Sequence, residues 1–197
     1  MPARSAIAGA LLASVVIAAG PGGAPPGAGA QILTFPGGIP PANFRAEAEI
    51  EAAPARVWAV LTDFPAYPIW NPFIYPITGT LRAGGTLEVT VHPGMRSITY
   101  QATVVTAQPN RELAWFVSSA TAGVFDSTYT FTIDPIQATR VHLVARESHT
   151  GLAGVLGASL VKDIQTGLDE MVKAARNRAE LSRIVPRRQP AIRISPR

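Results

Sequence analysis

The chain has 197 residues, 47% of them hydrophobic, with 17 basic and 13 acidic residues for a formal net charge of +4. That length and apolar content bound it to one domain with a real core. The lack of cysteine excludes disulfides, thiolate catalysis and cysteine-ligated metals, and leaves the redox compartment open.

The charge is unevenly placed: eight of the basic residues and one acidic residue fall from Lys173 onward, leaving nine basic against twelve acidic before it. A mildly acidic body with a basic, proline-punctuated tail does not fit nucleic-acid binding, which needs its charge on a folded face with aromatic residues interleaved. The tail over 184–197 is expected to be disordered, and either makes weak contact with anionic membrane or is simply solvated.

Residues 1–30 have the three-part layout of a secretory signal: Arg4 in "MPARS", an apolar run from Ala6 to Ala19, and small residues ending at Ala30. The expectation is export, periplasmic or secreted, with cleavage near Ala30. The alternatives are an uncleaved N-terminal membrane anchor and an Ala/Gly/Pro-rich tail on a cytosolic protein. The run falls short of the ~20 residues that a span requires, and "GPGGAPPGAGA" cannot extend a helix. Residues 31–42 then read as a linker and 43–183 as the folded domain.

From Phe44 to Ala52, apolar and charged residues alternate, predicting a half-buried strand. Pro54 next opens a short helix carrying Val57, Trp58, Val60 and Leu61 at helical spacing. The segment "DFPAYPIWNPF" follows, in which Pro65, Pro68 and Pro72 forbid a long helix or strand, so its large rings need something to cover. Beyond it, "IYPIT", "TLEVTVH", "SITYQATVVTA", "ELAWFVSS", "VFDSTYTFTI" and "RVHLVARESH" read as antiparallel strands separated by turn residues, "DPIQ" among them. Leu160, Ile164, Leu168, Met171 and Ala175 recur at steps of three and four, marking one long amphipathic helix. An antiparallel sheet buries such a helix by curling around it, which gives an α+β fold.

The phrases "IEAAPARVWAVLTDFPAYPIWNPF", "LRAGGTLEVTV", "YQATVVTAQPNRELAW", "ESHTGL" and "AARNRAEL", in that order, resemble the START-like or SRPBCC superfamily, which includes the polyketide cyclase/dehydrase and lipid transport families. The resemblance spans Phe44 to Leu181. It implies the helix-grip fold, a curved antiparallel sheet wrapped around a long C-terminal helix, with an apolar cavity between them. Trp70 and Phe73 would wall or gate that cavity, or the segment's rings plug the end of the core.

Strand phase nominates the chemistry. Val141, Leu143, Ala145, Glu147 and His149 share one face of the last strand, so a concave placement brings a carboxylate and an imidazole into the cavity as a candidate acid/base pair. The same phase argument adds Tyr100, Trp115, Phe125, Tyr129 and Phe131 as candidate ligand contacts. His92 and His142 are expected to face water, and the scattered histidines predict no metal. No serine lies in a nucleophile-elbow context, Gly151, Gly154 and Gly157 do not form a phosphate loop, and no cofactor is implied. Three functions remain open: an exported module binding a hydrophobic small molecule (lipid, quinone, sterol or polyketide-like), a cyclase or dehydratase using Glu147 and His149, and an interaction protein with a filled cavity.

Overall fold

The computed structural model describes residues 12–17, 31–36, 42–118, 125–151 and 158–181. Strands β1 (Leu12–Ile17) and β2 (Gln31–Pro36) form a separate two-stranded antiparallel sheet, β1 within the expected secretory segment and β2 within the expected linker. Among the described residues, no helix is long and apolar enough to cross a membrane. The basic tail lies outside the described residues.

The domain proper begins with β3 (Ala42–Ile50), whose inward residues Phe44, Ala46 and Ile50 are buried as the alternation predicts. Helix α1 (Pro54–Thr62) starts with Pro54 in its first turn, where a missing backbone donor costs nothing, and buries Val57, Val60 and Leu61. The proline-rich segment becomes a single 3-10 turn, Phe64–Ala66, followed by a one-turn helix α2 (Tyr67–Trp70). Six further strands follow: β4 (Ile74–Gly79), β5 (Thr86–Val91), β6 (Ile98–Gln108), β7 (Glu112–Val117), β8 (Phe125–Gln137) and β9 (Arg140–Gly151). Helix α3 (Ala158–Leu181) closes the domain.

The seven strands form one antiparallel sheet in the order β3-β9-β8-β7-β6-β5-β4. This is the helix-grip α+β fold, in which α3 lays Ile164, Leu168, Met171, Val172, Ala175 and Ala179 into the core. Helix α3 also covers the open edge of β3. Gln165 accepts from the Arg45 amide and donates to its carbonyl at 3.4 and 2.8 Å, and Glu180 accepts from the Glu51 amide at 2.9 Å. Those contacts cap backbone groups that an edge strand otherwise leaves open to pairing.

Two sequence expectations need correction. "DPIQ" is not a separator: β8 runs through it to Gln137, with a register shift between Pro135 and Gln137, and the turn falls at 138–139. Pro135 is tolerated because β7 begins only at Glu112, opposite Thr132, and the Ile133 amide makes the last backbone bond on that side, to the Arg111 carbonyl at 2.8 Å; among the described residues, Pro135 then pairs on the β9 side only. His92 does not face water freely. It is half-buried, its Nε2 lies 2.8 Å from the Tyr75 carbonyl, and its ring stacks on that of Tyr75 at 4.2 Å. His142 does sit on the outer face, 3.2 Å from Glu47. Val144 is buried although its alternation partners on that face are not.

Candidate functional site

A cavity of about 530 Å³ lies between the concave face of the sheet and the first turns of α3. Its walls are mostly apolar: Phe73, Val91 and Val117 from the sheet side, with Leu160 and Ile164 from the helix. Phe73 is held there by the residue that ends α2. The side chain of Asn71, itself buried, accepts from the amides of Phe73 and Ile74 at 2.9 Å each, fixing the chain as it turns into β4.

One wall is polar. The β8–β9 register sets Ser127 opposite His149 and Tyr129 opposite Glu147, all four on the concave face. Glu147 is 1% exposed and His149 and Ser127 are each 9% exposed, yet all three line the cavity with Tyr129. The Tyr129 hydroxyl donates to Glu147 Oε1. His149 Nε2 stands 2.7 Å from the same oxygen, but off the N–H line, so the contact is a close electrostatic one rather than a straight hydrogen bond. On the other side of the ring, Nδ1 and Ser127 Oγ are 2.6 Å apart. With the imidazole proton on Nε2, facing the carboxylate, Ser127 donates to Nδ1. Phe44 meets the ring edge-on at 5.6 Å and fixes its plane.

Tyr100 adds a fifth polar group to the wall. Its ring stacks on Tyr129 with centroids 6.1 Å apart, and its hydroxyl comes near the Tyr129 hydroxyl and the Trp115 indole without reaching hydrogen-bond geometry with either. Burial, reinforced by the Glu147 charge, pushes the Tyr100 and Tyr129 hydroxyls well above the ordinary phenol range, so both stay protonated donors. Glu147 Oε2 is buried and has no hydrogen-bond partner among the described residues.

The structure therefore brings Glu147, His149, Tyr100, Tyr129 and Phe73 together and separates the other sequence candidates from them. Trp115 is fully buried behind Tyr129, with ring centroids 5.5 Å apart, and Phe131 packs against Trp115 from within the core. Neither lines the cavity. Trp70 lines a separate cleft of about 270 Å³ with Pro68, Ile69, Asn71, Pro72 and Tyr75. The side chain of Phe125 lies outside the described residues. Alternation puts Ser127 on the inward face and no more; its pairing with His149 follows from the register, which alternation alone does not supply. Among the described residues, no three His, Asp or Glu side chains are grouped to hold a metal ion.

Residues 41–176 match the family model described as polyketide cyclase / dehydrase and lipid transport. The chain belongs to this family. Among solved structures, it is similar to a START superfamily protein from Mycobacterium smegmatis, at 21% identity and a TM-score of 0.58, over 71% of this chain and 98% of that one. It is also similar to the Zhui aromatase/cyclase from Streptomyces sp. R1128, at 17% identity and a TM-score of 0.61, over 74% and 98%. A third similar structure, from Thermus thermophilus, has 16% identity and a TM-score of 0.57, over 71% and 98%. At these identities the likeness is one of fold. A search of curated protein sequences gives no match. The family match makes this a polyketide cyclase/dehydrase and lipid-transport type domain, and its fold is shared with the START superfamily structure.

Proposed function

We propose that this protein binds a hydrophobic small molecule in the cavity beneath α3 and acts as a carrier or receptor for it. The observation that carries this reading is a space of about 530 Å³ walled mainly by apolar side chains in a domain of this family. That volume lies within the usual range of small-ligand pockets. Burial of apolar ligand surface supplies affinity at ~25 cal/mol per Å2 before ordering costs, so carriage requires no reactive group. The N-terminal signal layout supports an exported protein, and the basic tail supports weak contact with anionic membrane. Native mass spectrometry of protein purified from its own host, followed by extraction, tests the binding. The expected result is a stoichiometric apolar compound; an empty protein that also ignores a panel of lipids and polyketide-like rings refutes it. N-terminal sequencing of the same sample tests cleavage near Ala30.

A second reading is favoured by one observation: the polar row Tyr129–Glu147–His149–Ser127 faces a void instead of solvent. In that reading Glu147 and His149 move protons on a polyketide-like substrate, as in a cyclase or dehydratase. Glu147→Gln and His149→Ala are then expected to abolish turnover while leaving binding of the apolar body largely intact. Unchanged turnover in both variants would exclude it.

A further inference from the structure

The cavity wall has three buried polar atoms without a hydrogen bond: Glu147 Oε2, the Tyr100 hydroxyl and His149 Nε2. The last is held 2.7 Å from Glu147 Oε1, which leaves two atoms of opposite kind for a ligand. Glu147 Oε2 is an acceptor without a donor, since both close donors, the Tyr129 hydroxyl and His149 Nε2, converge on Oε1. The Tyr100 hydroxyl is a donor without an acceptor. Both residues line the same cavity. Both flank Tyr129: the Tyr100 ring stacks on it at 6.1 Å, and the Tyr129 hydroxyl donates to the other oxygen of Glu147. A buried polar atom left unpaired is costly, so a ligand that satisfies both is strongly preferred over one that satisfies neither.

We infer that the cavity selects a neutral, hydroxyl-bearing apolar molecule, a phenol or sterol-type alcohol, whose hydroxyl donates to Glu147 Oε2 and accepts from Tyr100. This rests on the binding function proposed above and narrows it. A hydroxyl is the smallest group that gives and takes one hydrogen bond at the same atom. A quinone or ketone carbonyl satisfies Tyr100 and leaves the carboxylate oxygen unpaired. A fatty-acid carboxylate sets one anion against another in a poorly solvated space. An amine satisfies Glu147 but offers Tyr100 a poorer acceptor. Among lipids, quinones, sterols and polyketides, hydroxylated rings fit the wall, whereas oxidised quinones and free acids do not.

The test is a fluorescence or calorimetric titration of the full chain with four probes that share one apolar body: naphthol, naphthylamine, methoxynaphthalene and naphthalene. Naphthol is expected to bind roughly tenfold or more tightly than naphthalene and methoxynaphthalene, the magnitude of two buried groups gaining partners. In Glu147→Gln the side-chain amide replaces an acceptor by a donor. The ratio of naphthol to methoxynaphthalene affinity is therefore expected to collapse toward unity. Tyr100→Phe is expected to weaken naphthol severalfold and to leave naphthalene unchanged. Because each readout is a ratio within one variant, partial loss of folded protein does not imitate it. Equal binding of all four probes overturns the hydroxyl selection while the apolar carrier reading stands. Failure of all four to bind overturns both.

Discussion

Gly167→Ala is expected to destabilise the protein, against the ordinary rule for a helix interior. At a free helical position alanine is better than glycine by about 0.8–1.0 kcal/mol. Here an ideal Cβ on Gly167 would stand 2.2 Å from Phe73 Cδ2 and 2.7 Å from its Cε2 and Cγ. Those separations cannot exist without movement. Phe73 is 1% exposed, and its amide is held by Asn71, so the ring yields more easily than the backbone. The space open to it is the cavity it lines. Overpacking of this kind costs ~1–3 kcal/mol, and subtracting the helix gain leaves a net loss of up to about 2 kcal/mol. For a domain of this size a loss of about 2 kcal/mol is a drop in Tm of about 4–8 °C. The assay is urea denaturation and calorimetry of Gly167→Ala, with Phe73→Leu and the double variant alongside to complete a cycle. The double variant is expected to recover much of the loss from alanine, since leucine vacates the ring positions that Cβ overlaps. Apolar probes are expected to bind Gly167→Ala more weakly, because the displaced ring occupies ligand space. A variant stabilised by about 1 kcal/mol, with no coupling to Phe73, would refute the packing argument.

Three further outcomes are expected. Asn71→Ala removes the acceptor for two buried amides but also an unpaired Nδ2, so a net loss of about 2 kcal/mol is expected in denaturant titrations; a loss near zero would mean that water replaces the side chain. Burial holds the hydroxyls of Tyr67, Tyr100 and Tyr129 above their unfolded value of 10.0. Their contribution is therefore fully present below about pH 10 and is lost as pH rises past it. Tm should stay flat in mild alkali and then fall, less steeply in Tyr67→Phe; a slope that Tyr67→Phe leaves unaltered counts against the assignment. Arg96 pairs with Asp163 at 2.9 Å but is 51% exposed, so Arg96→Ala is expected to change stability by less than about 0.5 kcal/mol, and a change above about 1 kcal/mol would show a larger role for that loop.

The concave face of nearly every strand was legible from alternation, because a side chain's face follows from a period of two and from burial on one side only. Phe44, Ala46 and Ile50 in β3, and Val141 to His149 in β9, turn inward as their spacing requires. The stripe on α3 was legible for the same reason at a period near 3.6. The proline-rich segment was not, since turns have no period. Its four rings serve different ends: Tyr67 enters the core and donates to the Leu61 carbonyl at 2.6 Å, Phe64 packs edge-on against it, Phe73 lines the cavity and Trp70 lines an outer cleft. Trp115 and Phe131 share the inward face with Tyr129 yet stop behind it, because facing inward does not say how deep a side chain lies.

What the amino-acid order determined by itself is therefore the class of fold, the element that closes it and the inward set from which a site can be drawn, since each depends on contacts a few residues apart. Which members of that set meet was decided only by the tertiary structure. Ser127 and His149, or Tyr129 and Glu147, are brought together by a register between β8 and β9 that depends on where the 138–139 turn falls and on the irregularity at Pro135. The unpaired Glu147 Oε2 and Tyr100 hydroxyl arise one step further out, from three strands closing against α3 around a space that neighbouring side chains do not fill. Such vacant pairing capacity is a property of the closed shape, to which residues distant in the chain contribute together.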